Sequence, residues 1–174
     1  FARLSDGVQI IGEDFVDFTR ELSALVVRAP AGQAAVYPIS ESVQRNGICV
    51  ETITPAPELD DDRAIAAQQL ALMIAHELGV VGVLAVELMQ CADGSVLVNE
   101  LAMRPHNTGH WTIDGARTSQ FENHLRAVLD LPLGDPSSTE KWTVMANVFG
   151  GKIDDLSSAL LHCYARDRRL RVQL

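Results

Sequence analysis

The sequence predicts an α+β fold in which helices flank an antiparallel or mixed β-sheet. Segments with strand character alternate with segments with helix character along the 174 residues, and neither repeats nor low-complexity stretches interrupt them. Two apolar segments, 80–89 and 95–101, are joined by a stretch that contains Asp93-Gly94, a pair that favours the tight turn of an antiparallel hairpin. The alternation and the hairpin together predict a sheet that carries helices.

The strands are predicted from short apolar runs bounded by Gly, Pro, Asn or Asp. They are 8–11 (VQII), 21–28 (ELSALVVR), 34–39 (AAVYPI), 48–54 (ICVETIT), 80–89 (VVGVLAVELM), 95–101 (SVLVNEL), 142–151 (WTVMANVFGG) and 169–174 (RLRVQL). Segments 80–89 and 95–101 are apolar on both faces, so we expect each to be buried on two sides.

The first helix is predicted after the breakers Pro55 and Pro57. The acidic run 60–62 suits the positive end of a helix dipole, so the helix begins there. It continues to about Leu78, and Gly79 ends it.

Two further helices are predicted nearer the C-terminus. Ser119 and Glu122 have the spacing of a capping box, and the helix that they open ends before Pro132. Its inward stripe is predicted to consist of Phe121, Leu125 and Val128. The last helix runs from Asp154 to Tyr164, with one apolar side made of Leu156, Leu160 and Cys163.

The domain organisation is predicted from a Pro-, Gly- and Ser-rich stretch. LPLGDPSSTEK (131–141) has the composition of a linker. We therefore expect residues 1–135 to belong to one domain and residues 136–174 to begin a small C-terminal domain. The chain begins at Phe1 and ends in a strand-like VQL, so we expect it to be a piece of a longer protein.

Composition excludes several classes of function. A formal net charge of −9 and a pI near 4.9 argue against nucleic-acid binding, because such binding needs clustered basic residues. The longest apolar run, LGVVGVLAV, is far shorter than the roughly 20 residues of a membrane helix. The 3 cysteines have neither metal-site nor disulfide-framework spacing, which favours a reducing cytoplasm.

The register of the central hairpin brings two acidic residues together. If Asp93 and Gly94 form a two-residue type I′ turn, Glu87 lies directly opposite Glu100. Opposed carboxylates repel, so they either share a proton or hold a cation such as Mg²⁺, which takes oxygen ligands. Two alternatives stay open: both glutamates face water on one-sided strands, or a longer turn shifts the register.

Polar side chains crowd the segment that follows, NELAMRPHNTGHWTID (99–114), without an amphipathic period. They are Asn99, Glu100, Arg104, His106, Asn107 and His110. From the residues alone, the two histidines are interpreted as loop residues hydrogen-bonded to backbone carbonyls. A zinc site is disfavoured, because Pro105 and Gly109 oppose the continuous helix that an H-x3-H motif needs.

These motifs together resemble a known family. LAVELM, VNELAMRPHNTGHWT and TSQFENHLRAVLDLPLG, in this order, are similar to the C-terminal half of an ATP-grasp domain, and within that superfamily to the N5-carboxyaminoimidazole ribonucleotide synthases. The resemblance covers most of the chain. It implies a partial ATP-grasp domain without the N-terminal preATP domain and without the glycine-rich phosphate loop, so this segment alone should be inactive.

The resemblance also implies how ATP is held. Glu87 and Glu100 would be ligands of the Mg²⁺ ion that holds the phosphates. The remaining nucleotide-binding residues would be the hinge residues Glu13, Phe15 and Val16 beside adenine, Glu21 at the ribose hydroxyls, and Asn99.

Arg104, His106 and Asn107 match the family's carboxylation loop. Arg104 suits an anionic bicarbonate because its planar fork makes two parallel hydrogen bonds, and His106 could polarise a group or move a proton. The implied reaction is ATP- and bicarbonate-dependent carboxylation of 5-aminoimidazole ribonucleotide through carboxyphosphate, in de novo purine biosynthesis. The resemblance also implies a homodimer.

Departures from the family pattern keep two alternatives open. Gln44 stands where many relatives carry His, and Thr108 replaces the usual Ser. Formate-dependent glycinamide ribonucleotide transformylase has a similar loop, but it typically has PHDTG, so Asn107 and Trp111 favour the carboxylating enzyme. The other alternative is a noncatalytic nucleotide-binding or dimerisation module, which would have little use for two opposed glutamates.

Overall fold

The computed structural model describes residues 9–149 and 155–173. Within these residues the strands are β1 Phe18–Arg28, β2 Ala34–Val36, β3 Ser40–Arg45, β4 Ile48–Thr54, β5 Gly82–Cys91, β6 Val96–Ala102 and β7 Thr143–Ala146. The helices are α1 Asp61–Glu77, α2 Thr112–Gly115, α3 Gln120–Val128 and α4 Leu156–Arg166, with a 3-10 helix over Asn107–Gly109. The α+β prediction is confirmed.

The strands of the described residues form one seven-stranded sheet in the order β6-β5-β1-β3-β4-β7, with β2 paired to β1. Every pairing is antiparallel. The long strand β1 lies between β5 and β3, and its residues from Leu22 to Val27 are buried. This central pair of strands, β1 and β5, forms the floor on which the candidate site is built.

Each face of the sheet has its own hydrophobic core, because side chains alternate along a strand. On one face, Leu22, Val26 and Val86 pack with the small residues of α1, Ala67, Ala71 and Ala75. On the other face, Leu25 and Val83 pack with Trp111 and with Ala127 of α3. Strands β1 and β5 therefore have continuous apolar sequences, as predicted for 80–89.

Helix α1 forms as its sequence predicts. Asp60 is its N-cap, and the carboxylate accepts a hydrogen bond of 2.8 Å from the Arg63 backbone N–H. Asp61 and Asp62 occupy the first turn, where carboxylates favour the positive end of the dipole. Gly79 follows the helix with a φ of +61°, a conformation that glycine adopts without strain.

Two predictions about apolar faces are wrong. Strand β6 is at the edge of the sheet of the described residues, and Leu97, Val98 and Leu101 are exposed rather than buried. The predicted inward stripe of α3, made of Phe121, Leu125 and Val128, is also exposed; the helix buries Gln120, Asn123 and Ala127 instead. Hydrogen bonds to the buried amides decide this orientation, and periodicity does not show them.

Strand β3 was missed because its sequence, SESVQR, is polar. It pairs with β4 through a two-residue turn in which Arg45 lies opposite Ile48. The turn residues Asn46 and Gly47 have φ of +53° and +74°, the left-handed values that a type I′ turn requires. Asn-Gly is a strong hairpin signal, so the sequence did indicate that a strand precedes this turn.

The predictions near the chain ends have mixed outcomes. Residues 9–11 form no strand, Val8 lies outside the described residues, and only Ala34–Val36 of segment 34–39 is a strand. Of segment 142–151, Thr143–Ala146 forms β7, and Gly150 and Gly151 lie outside the described residues.

The last predicted helix is confirmed as α4, with Asp155 as its N-cap; Asp154 lies outside the described residues. Residues 169–173 form no strand, and Leu174 lies outside the described residues. Strand β7 pairs with β4 in the main sheet, and the domain boundary at residue 135 stays a prediction. Among the described residues, no helix combines the length and the apolar composition needed to cross a membrane.

Candidate functional site

The two glutamates do lie opposite each other on β5 and β6, as predicted. Glu87 and Glu100 are paired in the ladder between the two strands. The predicted two-residue turn, however, is wrong. Backbone hydrogen bonds from Cys91 N–H to Ser95 O and from Gly94 N–H to Cys91 O, both 2.9 Å long, define a three-residue turn.

A second irregularity restores the pairing. The longer turn shifts the register by one residue, so that Leu88 lies opposite Val98. A bulge between Leu88 and Glu87 then adds one residue on β6 and brings Glu100 opposite Glu87. The two shifts cancel, and the carboxylate pair, Glu87 and Glu100, forms as the simpler turn would have formed it.

The Glu87 carboxylate is partly buried and hydrogen-bonded at both oxygens. His106 Nε2 lies 3.2 Å from Oε1, and Asn99 Nδ2 lies 3.5 Å from Oε2. The His106 hydrogen bond holds the pKa of Glu87 below its ordinary value, against the effect of burial, with smaller contributions from Asn99 and Arg104. An ionised Glu87 favours a cation between the carboxylates over a shared proton.

The second carboxylate and its surroundings fit Mg²⁺. Glu100 is exposed on the edge strand, whereas the Glu87 side chain is only 22% exposed. Across the described residues, no group of three or more His, Cys, Asp or Glu side chains converges to hold a metal by itself. Mg²⁺ commonly uses one or two carboxylates and takes its other ligands from phosphates and water, so a facing pair is a suitable donor set.

The polar loop, residues 103–111, lies against this pair. His106 is buried, with 7% of its surface exposed, and its Nδ1 lies 2.8 Å from Thr108 Oγ1. Its ring partners are therefore Glu87 and Thr108 rather than the backbone carbonyls that the residues alone suggested. The His110 ring packs edge-on against Phe121 with centroids 5.5 Å apart, and burial lowers the pKa of His110.

Gln120 holds the polar loop from α3. Its Oε1 accepts a hydrogen bond of 2.9 Å from the His106 backbone N–H, and its Nε2 donates one of 2.7 Å to the His106 carbonyl. The side chain is fully buried. Gly109 packs so closely that a Cβ there would lie 2.5 Å from Gln120 Oε1. The sequence alone predicts no role for Gln120.

Arg104 and Asn107 flank His106 at the surface. The exposed Arg104 donates through Nη1 to the Pro105 carbonyl at 3.1 Å, and its charge contributes to the lowered pKa of Glu87. Asn107 is partly buried at the start of the 3-10 helix, where its carbonyl accepts from the His110 N–H at 3.0 Å. The Arg104 charge therefore lies near Glu87, and Asn107 directly follows His106 in the polar loop.

Glu21 belongs to this group as well. It lies on β1 opposite Met89 of β5 and Ser42 of β3, two residues from Ser23, which lies opposite Glu87. Burial raises the pKa of Glu21 and the Glu87 charge adds to the rise, whereas the hydrogen bond from Gln44 opposes it. The side chains at positions 21, 23 and 25 share one face of β1, so Glu21 and Ser23 extend the face that packs against the polar loop.

The hinge residues are placed differently. Glu13 and Phe15 are exposed and Val16 is partly buried, in a segment without regular structure that precedes β1. Phe15 is 91% exposed. The structure thus brings together Glu21, Glu87, Asn99, Glu100, Arg104 and His106, with Asn107 next to His106 in the chain. The hinge residues have no comparable packing.

Comparison with protein families agrees with this arrangement. The ATP-grasp domain family matches residues 2–121, more than half of the chain. The chain belongs to the ATP-grasp family. The opposed glutamates and the polar loop at the end of β6 lie within the matched residues.

Comparison with individual relatives gives a more specific similarity than the family match does. The chain is 61% identical over 179 aligned positions to the N5-carboxyaminoimidazole ribonucleotide synthase of Mycobacterium tuberculosis, with 100% of this chain and 42% of that protein covered. The chain thus spans about two fifths of the length of the curated relatives it matches.

Solved structures of ATP-grasp relatives are also similar. N5-carboxyaminoimidazole ribonucleotide synthetase from Thermus thermophilus is 46% identical, with a TM-score of 0.75 over 79% of this chain and 38% of that one. The Aspergillus clavatus synthase, in complex with ADP and 5-aminoimidazole ribonucleotide, is 34% identical, with a TM-score of 0.79 over 87% of this chain and 40% of that one.

Proposed function

We propose that the full-length protein containing this chain carboxylates 5-aminoimidazole ribonucleotide to N5-carboxyaminoimidazole ribonucleotide, using ATP, Mg²⁺ and bicarbonate, in de novo purine biosynthesis. The observation that carries the proposal is the Glu87–Glu100 pair with His106 hydrogen-bonded to Glu87. The names of the relatives support the choice of substrate.

ATP is held, in this proposal, along the face formed by β1, β5 and β6. Glu87 and Glu100 hold Mg²⁺, which when bound neutralises phosphate charge. Glu21 accepts hydrogen bonds from the ribose hydroxyls. Adenine lies against the hinge residues Glu13, Phe15 and Val16, and Asn99 fixes the second oxygen of Glu87.

The polar loop then serves the carboxylation. A bicarbonate oxygen attacks the γ-phosphorus of ATP, the bond to the bridging oxygen breaks, and ADP leaves. The amine nitrogen of the ribonucleotide takes the CO₂ unit of carboxyphosphate, phosphate leaves, and the amine loses a proton. Arg104 and Asn107 hold the bicarbonate and its phosphorylated form, as a guanidinium and an amide suit oxyanions.

His106 completes the catalytic set. We propose that it orients the Glu87 carboxylate beside the bicarbonate site, because its two ring nitrogens contact Glu87 and Thr108 and neither is left free to reach bicarbonate. No covalent bond to the protein is needed, so this chain contributes by binding, orienting and stabilising charge.

We also propose that the protein is a cytoplasmic homodimer that acts on small molecules and not on nucleic acids or membranes. The acidic composition and the free thiols of Cys49, Cys91 and Cys163 support this assignment. Sedimentation of the full-length protein tests the dimer, and a monomer at micromolar concentration would contradict it.

Phosphate release tests the main proposal. The full-length protein is supplied with ATP, Mg²⁺ and bicarbonate, with and without aminoimidazole ribonucleotide. Formate with glycinamide ribonucleotide is the control pair. Release that requires aminoimidazole ribonucleotide and bicarbonate supports the proposal. Release with the control pair alone would identify a formate-dependent transformylase, and release with neither would contradict both substrate assignments.

A further inference from the structure

A series of buried polar side chains, each in contact with the next, leads from β1 to Glu87. Ser23 Oγ lies 2.7 Å from Thr108 Oγ1, which lies 2.8 Å from His106 Nδ1, and His106 Nε2 lies 3.2 Å from Glu87 Oε1. Ser23 is 2% exposed and Thr108 is 4% exposed. Water therefore does not compete for these contacts, and each polar atom must find its hydrogen-bond partner in the next side chain of the series.

The backbone at Thr108 sets the direction of these hydrogen bonds. The Thr108 N–H points at His106 Nδ1 over 3.4 Å, and the ring nitrogen is the side-chain acceptor at this helix start. An amide N–H can only donate, so this contact favours an unprotonated Nδ1 with the ring proton on Nε2. Nε2–H then donates to the Glu87 carboxylate.

The opposite tautomer would conflict with Glu87. With the proton on Nδ1, the Nε2 lone pair would face a carboxylate oxygen 3.2 Å away, and two acceptors would be opposed. The Thr108 N–H would also face an N–H. Both ends of the ring therefore favour the same tautomer.

We propose that Ser23 and Thr108 are positioning residues that hold His106 in its Nε2–H tautomer and so direct its single N–H donor at Glu87. The Thr108 hydroxyl donates to Nδ1, and the Ser23 hydroxyl donates to Thr108. The N–H occupies Oε1, so the metal is left with Oε2, which keeps a second lone pair beside the 3.5 Å contact from Asn99 Nδ2. The effect on metal binding rests on the proposed function, in which Glu87 is a Mg²⁺ ligand.

Thr108 offers a matched pair of variants. Thr108→Val keeps the volume and removes the hydroxyl, whereas Thr108→Ser keeps the hydroxyl and removes the methyl. Ser23→Ala removes the second hydroxyl without touching His106. Thermal unfolding of each variant in the full-length protein establishes that it is folded.

The first readout is the ¹⁵N resonances of the His106 ring in protein labelled at histidine, without nucleotide or metal, with His106→Gln for assignment. Wild type and Thr108→Ser are expected to show an unprotonated Nδ1. Thr108→Val is expected to show a mixture of tautomers. If Thr108→Val keeps the wild-type ring spectrum, or if Thr108→Ser alters it as much as Thr108→Val does, the proposal is overturned.

The second readout is binding of Mn²⁺ as a probe for the metal, measured by its electron paramagnetic resonance with ADP present. Loss of a group that orients a metal ligand typically costs 10–100-fold in metal affinity, so Thr108→Val is expected to weaken Mn²⁺ binding about 10-fold. Ser23→Ala is expected to weaken it less, and Thr108→Ser to keep it near wild type.

The two readouts separate this inference from the proposed function. A changed ring spectrum with unchanged Mn²⁺ affinity would support the positioning of His106 and would contradict the metal role of Glu87. If Thr108→Val does not fold, Ser23→Ala decides: an unchanged ring spectrum together with unchanged Mn²⁺ affinity in that variant overturns the proposal.

Discussion

The polar loop and the hinge segment, residues 13–16, form two sides of one proposed site, but the chain holds them differently. His106 is 7% exposed, is hydrogen-bonded to Gln120 of α3 and contacts Glu87 of β5, and its partner Thr108 is hydrogen-bonded to Ser23 of β1. Phe15, in contrast, is 91% exposed in a segment without regular structure. Changes in the polar loop should therefore affect both stability and turnover. Changes in the hinge segment, or at the exposed Glu100, should affect turnover alone.

The largest effect is expected at Glu100. Glu100→Ala removes a proposed metal ligand, so phosphate release by the full-length protein should fall by about 100-fold or more. The free energy of unfolding should change by less than about 0.5 kcal/mol, because the side chain is exposed and its loss relieves repulsion with Glu87. Glu140→Ala, at another exposed glutamate, is the matched control. Wild-type turnover of Glu100→Ala with Mg²⁺ present would refute the metal assignment.

The next largest effect is expected at Gln120, whose hydrogen bonds hold the polar loop in place. Gln120→Ala leaves the buried N–H and C=O of His106 without partners, so the free energy of unfolding should fall by about 2–4 kcal/mol. Gln69, on the exposed side of α1, provides the control. Gln69→Ala should change the free energy of unfolding by less than about 0.5 kcal/mol. Denaturant unfolding measures both. Equal changes in the free energy of unfolding for the two variants would mean that the Gln120 hydrogen bonds contribute little to stability.

The pH dependence of stability tests the hydrogen bonds of Tyr37, which lies in the same buried region. Its hydroxyl donates to the Thr118 carbonyl at 3.0 Å and accepts from Asn123 Nδ2 at 2.8 Å, and burial raises the pKa of Tyr37 to about 12. An unfolded tyrosine ionises near pH 10, so the stability that this residue contributes is complete below that pH and is lost as the pH rises towards 12.

Tyr37→Phe should therefore cost about 1–2 kcal/mol at pH 7, since the hydrogen bonds are lost. The difference from wild type should shrink between pH 10 and pH 12, because phenylalanine does not ionise. Unfolding measured at pH 7, 9 and 11 checks this. A difference that stays constant to pH 11 would show that the pKa of Tyr37 is the same in the folded and the unfolded chain.

The smallest effect is expected in the hinge segment. Phe15→Ala should leave the unfolding temperature unchanged, because the ring buries almost nothing. Loss of aromatic contact with adenine should raise the KM for ATP by roughly 2–10-fold. Phe149, which is 57% exposed, supplies a matched control in Phe149→Ala. A KM equal to that of the control would remove Phe15 from the nucleotide site.

The sequence predicted the pairing of the two glutamates, but it did so through two errors that cancel. A two-residue turn without a bulge and a three-residue turn with a bulge both place Glu87 opposite Glu100. Turn chemistry is local, and Asp93-Gly94 correctly indicates a tight turn but not its length. The bulge is not local: it depends on Ala102 pairing with Ala85 and packing in the core beneath the polar loop.

The sequence by itself determined the α+β class, helix α1 with its caps, and the residues from Asn99 to His110 that resemble the ATP-grasp family, because these follow from local chemistry and from motif order. Only the tertiary structure decided that α3 buries Gln120 instead of Phe121, and that His106 binds Glu87 through one nitrogen and Thr108 through the other. A buried polar group is stable only where its partner lies, and Glu87 and Gln120, the partners of His106 outside the polar loop, come from β5 and α3.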